Sequence, residues 1–536
     1  MRRKISLWSV LCLVLVGLIQ MTVCAAGEVT IQRCSITGDN EVTVVASAPS
    51  SVASDDGNYY LFELKPYQND ITGRTDYCAS AQKSGNITLV TSLDKNTANS
   101  KLYSKFVVAV LSGGSYRAVS NEYYITNPAA VAYKTVSNPV MSSIKGVTAD
   151  NAAMIDLANL GVQHASYEMG INRFFEAGDS YITYEYNGKA YNFNQSVVGQ
   201  YDEIMRLMAS QGVEITMNIV NYYNADTAMT VKPTGRVKGY RHYAFNTDEQ
   251  QGAEAIEALM VFLTERYSNP STGLISNWII GNEVNNNNPW YFAGNYNVSD
   301  FTAEYEKAFR MFYNAIKSVN ANARVLTCID QRWTWEDGTA NQYGAKKFID
   351  AFNSDVISHG NIDWGVAWHP HPVPLTHAKF WNMPANYRAM NLIDHTSNSR
   401  MISPTNMEVF TNYLCQPSFL SPDGQVRYIM ISEILFNSLN TDEDTQAASF
   451  AYAYKLAEAN PYIKAFVVHR TVDSPYEKAS DKLACGLYNC DAKGWATTPK
   501  KIYYVFKYID TAQSDEYTAF ALPIIGASSW AQLGVR

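Results

Sequence analysis

The chain has 536 residues, 47% of them hydrophobic and 17% charged, with a formal net charge of −8. That is a globular composition on a length that two or three domains share more comfortably than one. The only basic run is Arg2-Arg3-Lys4, so the electrostatic footprint of a nucleic-acid binder is missing, and no nucleic acid is expected as a partner.

Residues 1–25 read as a secretory signal peptide. Arg2, Arg3 and Lys4 precede an apolar run from Ile5 to Met21, and Ala25-Ala26 offers small residues for cleavage. The run is short for a retained membrane anchor, and Val23 is bulkier than a lipoprotein site at Cys24 prefers. Bacterial-type export, a soluble secreted chain and no stable membrane insertion after cleavage are the expectations. Export permits disulfides. Among Cys34, Cys78, Cys328, Cys415, Cys485 and Cys490 the candidate pairs are Cys34–Cys78 and Cys485–Cys490, with free buried thiols the equal alternative.

Residues 27–127 carry short runs of β-branched and aromatic residues (EVTIQRCSI, EVTVVASA, YYLFEL, NITLV, KFVVAVL, EYYIT). Asp55-Asp56-Gly57 and Gly113-Gly114 punctuate them as turns. The pattern predicts a small antiparallel β-sandwich. Residues 128–140, rich in Ala, Pro and Asn, form a linker.

From 141 to 515 apolar strands alternate with amphipathic helices. Helices are predicted over Ala149–Leu160, Val198–Ser210, Asp248–Tyr267, Phe301–Val319, Ala345–Ser358, Glu443–Ala459 and Pro499–Ile509. Thr247 and Gln250 are spaced as a capping box. Strands are predicted near residues 142, 164, 215, 277, 326, 365, 430 and 466. Eight such units specify an α/β chain closed into a (β/α)₈ TIM barrel, and no glycine-rich loop after the first strand supports an open nucleotide-binding sheet. The segments 221–246 and 380–413 are candidate cleft-lining loops, and 516–536 is a tail expected to pack on the barrel.

Catalytic groups of such barrels sit where strands end at the C-terminal face. The fourth strand ends Ile280-Gly281-Asn282-Glu283 and the seventh Ile431-Ser432-Glu433. A lone carboxylate at the end of an apolar strand is costly to bury, and an ion pair or a loop cap would explain one of them. Two, on strands four and seven, point to chemistry.

An Asn-Glu pair ending strand four with a Glu ending strand seven resembles the clan A glycoside hydrolases. The resemblance implies Glu283 as general acid/base, Glu433 as nucleophile and Asn282 as a partner of the sugar 2-hydroxyl, in a retaining enzyme acting on carbohydrate. It also gives a role at the end of strand six, where Trp368-His369-Pro370-His371 stands: His369, the better candidate, or His371 would orient the nucleophile or bind sugar. Two positions depart from the clan. His469-Arg470 stands where a tryptophan commonly ends strand eight. Tyr167-Glu168 and Asn172-Arg173 stand where an arginine often ends strand two, with Arg173 the loose counterpart.

Trp333 and Trp335, after strand five, suit either a sugar platform or packing. The His369-x-His371 spacing allows a metal, although no third ligand is evident in the sequence. No cofactor is expected, and the chain is expected to be a monomer. The alternatives are a non-catalytic carbohydrate-binding barrel, which loss of either glutamate would mark, and a metal-dependent hydrolase using His369 and His371. A Schiff-base enzyme is remote, with Lys145 the only strand lysine to consider.

Overall fold

The computed structural model describes residues 28–48, 52–150, 154 and 156–535. The predicted signal peptide and Cys24 lie outside the described residues.

Eight strands open the chain: β1 (Thr30–Thr37), β2 (Glu41–Ser47), β3 (Asn58–Leu64), β4 (Ala79–Gln82), β5 (Asn86–Ser92), β6 (Lys105–Ser112), β7 (Ser115–Ala118) and β8 (Tyr123–Tyr124). They make two antiparallel sheets, β1-β2-β5 and β4-β3-β6-β7, with β8 paired to β6. Strand β5 explains why they stack. Ile87, Leu89 and Thr91 are buried while the residues between them are exposed, the period of two that gives a sheet one apolar face. Ile87 and Leu89 share one core with Tyr59, Leu61, Phe106 and Val108 of the second sheet.

All six described cysteines are free, which corrects the disulfide expectation. Cys34 is buried between the sheets, and the Cys78 thiol donates instead to Leu61 O at 3.3 Å. Cys485 is buried and Cys490 half-buried.

The barrel strands follow: β9 (Lys145–Thr148), β10 (His164–Gly170), a surface hairpin β11 (Tyr181–Tyr186) and β12 (Lys189–Asn194), then β13 (Glu214–Val220), the two-residue β14 (Ser268–Asn269), β15 (Gly273–Ile280), β16 (Arg324–Ile329), β17 (Gly365–Trp368), β18 (Ile429–Ile434) and β19 (Ile463–Val468). Eight of them pair in parallel in the order β9-β10-β13-β15-β16-β17-β18-β19, and β19 returns to β9 to close the ring. Every residue of β15 is buried, because a parallel strand under a helix layer has no solvent face.

The main helices are α1 (Gln195–Ser210), α2 (Gln250–Arg266), α3 (Val298–Val319), α4 (Ala345–Ser358), α5 (Glu443–Glu458) and α6 (Lys501–Tyr508). Tyr305, Phe309, Phe312 and Ile316 of α3 recur at helical spacing and are buried, each worth roughly 1.5–3 kcal/mol of transfer free energy. Among the described residues no helix is long and apolar enough to cross a membrane.

Two local expectations fail for identifiable reasons. The helix predicted over Ala149–Leu160 falls partly outside the described residues, and 157–161 runs in turns. Asp150 is held by Arg470, Thr471 and Val472, which ties the end of the first barrel strand to the eighth. The capping box at Thr247 is absent. Asn246 Oδ1 accepts from the backbone of Asp248 and Glu249 at 3.1 and 3.2 Å, and the helix starts later, at Gln250.

The sandwich docks on the barrel's flank. Tyr103 and Tyr186 share a hydroxyl hydrogen bond of 2.6 Å, Asn314 donates to Leu102 O at 2.8 Å, and Tyr124 N donates to His359 O at 2.9 Å. In the tail, Trp530 is buried and donates to Thr518 at 3.1 Å.

Candidate active site

Strand β15 ends in a backbone kink. Gly281 has φ +84° and Glu283 φ +41°, both in the left-handed region. A Cβ on Gly281 would lie 2.8 Å from the Tyr291 ring and from Val284, so only glycine fits there. The kink is held by Gly281 N to Ile219 O (2.9 Å), Val284 N to Cys328 O (2.9 Å) and Asn286 N to Glu283 O (2.7 Å). A left-handed glutamate costs on the order of 1–2 kcal/mol, and such strain gathers where a side chain must be aimed. Here it turns Glu283 over the barrel mouth, 8% exposed.

His369 follows β17 and donates from Nδ1 to Glu283 Oε1 at 2.9 Å, with its Nε2 3.4 Å from Cys328 Sγ on β16. Two residues on, His371 Nε2 stands 3.9 Å from Glu283 Oε1 and 3.7 Å from Glu433 Oε1. The two legs, 3.9 and 3.7 Å, cap the separation of those carboxylate oxygens at their sum, about 7.6 Å. Glu433 ends β18 and is partly open to solvent, and its Oε2 lies 3.9 Å from His469 Nδ1. His469 in turn reaches Glu477 at 3.2 Å, and Arg470 bridges Glu477 and Asp150.

The charges separate the two glutamates. Burial would raise the Glu433 carboxyl, but His469, His369, His371 and Arg470 outweigh it and hold the group down at about 2. Burial pulls the His371 imidazole down to about 4, so it is neutral between the carboxylates. Burial acts the same way on His369, where the Cys328 sulfur, Glu283 and Glu433 more than offset it and keep the ring well above its ordinary value. His469 is also raised, burial being overcome by Glu433 and Glu477.

Around this cluster Asn282 accepts from Asn218 Nδ2 at 3.1 Å. The loop after β15 is locked to β16 by a reciprocal pair, Asn285 Nδ2 to Asp330 Oδ1 (2.7 Å) and Asp330 N to Asn285 Oδ1 (3.0 Å). Six buried polar atoms near the mouth have no partner within the protein: Asn218 Oδ1, His242 Nδ1, Asn286 Oδ1, His371 Nδ1, Ser432 Oγ and His469 Nδ1. Buried polar atoms are rarely left so, and a cluster of them marks a surface that something polar completes.

Of the residues singled out in the sequence, Glu283, Glu433, Asn282, His369, His371 and His469 come together at the mouth. Trp333 does not join them. It is 1% exposed, packs edge-on against Phe410 and Tyr413, and gives its indole N–H to Ser397 O. It is core packing rather than a sugar platform. Trp335 is half-buried with the Arg400 guanidinium 3.8 Å over its ring, so one face is already covered. Arg173 bonds Gln200 at 2.9 Å and lies over Tyr201, making no ion pair with either glutamate among the described residues.

Three participants were missed. Asp150, just past β9, was hidden by reading the segment as a helix. Tyr222, two residues past β13, and His242, inside the loop flagged as cleft-lining, sit against Glu168. The third metal ligand missing from the sequence is Glu283: its carboxylate, His369 and His371 offer ligand atoms within 4.8 Å of one another.

A family model matches residues 137–533, the barrel and tail without the sandwich: the family of unknown function DUF5722. The chain belongs to that family. No curated protein matches. Solved structures similar to the chain include a family 39 glycoside hydrolase from the gut symbiont Bacteroides cellulosilyticus WH2, at 12% identity and TM-score 0.47, covering 90% of this chain and 79% of that one. A family 1 β-glucosidase from Thermotoga maritima matches at 12% identity and TM-score 0.42, covering 68% and 85%. A hyperthermophilic β-glucosidase from Pyrococcus furiosus matches at 13% identity and TM-score 0.45, covering 70% and 88%.

Proposed function

We propose that this protein is a retaining glycoside hydrolase in which Glu433 is the nucleophile and Glu283 the acid/base. The observation that carries the reading is the convergence of two strand-end carboxylates, from β15 and β18, on the single imidazole of His371. Their oxygens lie no farther apart than about 7.6 Å, a ceiling that admits the roughly 5–5.5 Å of a retaining pair and leaves out most of the roughly 6.5–9.5 Å inverting range.

The electrostatics support the division of labour. A carboxyl held at about 2 is ionised at any working pH, as a nucleophile must be. Glu283 shares a hydrogen bond with His369, a ring raised, against its burial, well above its ordinary value by the Cys328 sulfur, Glu283 and Glu433. In the first step Glu433 attacks the anomeric carbon while the leaving oxygen takes the proton through Glu283. In the second, Glu283 returns as base, removes a proton from water, and the water oxygen displaces Glu433 from the sugar. Asn282, held by Asn218, would bond the 2-hydroxyl in this reading. Export on the leader of residues 1–25 belongs to the same proposal, and N-terminal sequencing of the protein recovered from its natural host checks it.

The test is hydrolysis of a panel of aryl α- and β-glycosides, followed by proton NMR of the first-formed anomer. Retention is expected. An inverted first product removes the double displacement, and an inert protein removes the activity.

A second reading has one observation behind it. Glu283, His369 and His371 form a three-ligand set of the kind that holds catalytic zinc with an open fourth position. It leaves Glu433 and Asn282 without a task, which is why it ranks second. Activity abolished by a chelator and restored by zinc would favour it.

A further inference from the structure

Near its C-terminal end strand β10 carries a third carboxylate, Glu168. His164, Ser166 and Glu168 alternate along one face of β10. The first two bond Glu214 and Thr148 of neighbouring strands across the barrel interior, so Glu168 points inward above them. In register it lies beside Asn218 of β13, whose amide donates to Asn282, the residue before Glu283. Glu168 is therefore joined laterally to the proposed catalytic pair.

Its surroundings set it apart from a structural ion pair. The Glu168 side chain is 43% exposed, and among the described residues its one ion-pair partner is His242, with Nε2 3.6 Å from Oε2. Burial holds the His242 ring below its ordinary value, so the ring does not neutralise the carboxylate. Tyr222 donates its hydroxyl to Oε1 and packs edge-on to His242 at 5.2 Å between centroids. His242 itself is 6% exposed, has no partner for Nδ1, and feels the charges of Glu168, Glu283 and Glu433 together. The result is a clamped carboxylate, still open to solvent, on the face of β10 that looks into the barrel.

We propose that Glu168, fixed by Tyr222 and His242, reads the sugar unit bound next to Glu433: it accepts hydrogen bonds from a donor-rich neutral or amino sugar and repels a uronic acid. The inference rests on the glycosidase reading above and names the substrate class of that same site. Hydroxyls and an ammonium both donate to a carboxylate, so the chemistry is shared and the substrates separate the two sources. A carboxylate on the sugar would instead meet three carboxylates of the protein.

The test compares wild type with Glu168→Gln on aryl hexosides, hexosaminides and hexuronides. The substituted amide keeps the shape and a carbonyl for Tyr222 but removes the charge. For the hexoside or hexosaminide that wild type accepts, kcat/KM is expected to fall about 10- to 100-fold, the weight of hydrogen bonds to a charged acceptor. For the hexuronide it is expected to rise or hold. A loss concentrated on the hexosaminide assigns the ammonium, and one shared with the hexoside assigns the hydroxyls. Tyr222→Phe, which frees the carboxylate but keeps its charge, should lower hexoside turnover and still reject uronides. A parallel fall on all three classes, no change on any, or a wild-type preference for uronides overturns the proposal. Wild-type inertness toward every glycoside instead overturns the glycosidase reading beneath it. Circular dichroism of both variants guards against misfolding, since a merely structural Glu168 would change every class alike.

Discussion

Replacing Glu283 by glutamine isolates the proton. The side chain keeps its length, its left-handed backbone and an oxygen for His369 Nδ1, which lies 2.9 Å from the carboxylate, and loses only the ability to carry the proton that leaves with the aglycone. General acid catalysis of this kind is worth ~10²–10⁴-fold, which at 1.36 kcal/mol per decade is about 3–5 kcal/mol of barrier. That barrier exists only where the leaving oxygen needs protonation. Across a series of aryl glycosides the ratio of variant to wild-type kcat/KM should therefore climb from about 10⁻⁴–10⁻² for poor leaving groups to near unity for dinitrophenyl. The pH profile gives an independent reading. An alkaline limb that reports the donated proton in the wild type should be missing from the variant. Equal losses along the whole leaving-group series, or an alkaline limb that survives in the variant, would refute the acid role of Glu283.

Glu433→Ala should keep the fold and lose several orders of magnitude in kcat, with turnover of activated substrates partly restored by azide; more than about a tenth of wild-type activity would move the nucleophile elsewhere. Acid should weaken the fold through His371. Its folded value of about 4 lies below the ordinary 6.5, so the unfolded chain takes the proton first and stability declines as pH falls from about 6.5 to about 4, by up to about 3 kcal/mol. Glu433, lowered from 4.5 to about 2, extends the loss as pH falls further, whereas the raised His369 contributes in the opposite sense, stabilising at low pH and losing that effect as pH rises. Guanidinium unfolding at stepped pH should show this slope in wild type and a flatter one in His371→Asn. Gly281→Ala should lower both Tm and kcat, because its methyl meets Tyr291 at 2.8 Å in a backbone conformation that alanine resists; an unchanged Tm would remove the argument from the kink.

Periodicity made the barrel legible. All eight strand positions correspond to barrel strands, and α3 and α4 begin and end close to their predicted bounds, because a parallel strand buried on both faces and a helix with one apolar stripe leave strong local patterns. The strand-end rule singled out Glu283 and Glu433, which the fold brings to either side of His371. What stayed hidden depends on distance in space. The turns at 157–161 and the grip of Arg470 on Asp150 across 320 residues of sequence leave no local pattern, and Trp333 was open to two readings until Phe410 and Tyr413 closed around it. The partnership of Tyr222 and His242 with Glu168 crosses two loops, and no spacing in the sequence encodes it.

The two ends of the barrel interior make the functional argument from hydrogen bonding alone. At the N-terminal end, His164 meets Glu214 at 3.0 Å and Ser143 O at 3.1 Å, Asn277 meets Thr216 at 3.0 Å, and Arg324 meets Glu214 at 2.8 Å and Asn277 at 3.0 Å. None of these groups is left with an unpartnered buried atom. Such a closed network rigidifies a core and asks for nothing more. At the C-terminal end, the orphaned atoms of Asn218, His242, His371, Ser432 and His469 surround two glutamates, one of them on a strained backbone. Each unpaired buried group costs about 1–3 kcal/mol, so an interior network that closes at one end makes a cluster of orphans at the other notable. A polyhydroxylated ligand that donates and accepts at every position supplies the missing partners, and an apolar one does not. The contrast between the two ends favours a polar, hydrogen-bonding ligand at this mouth, which is what the proposed function requires.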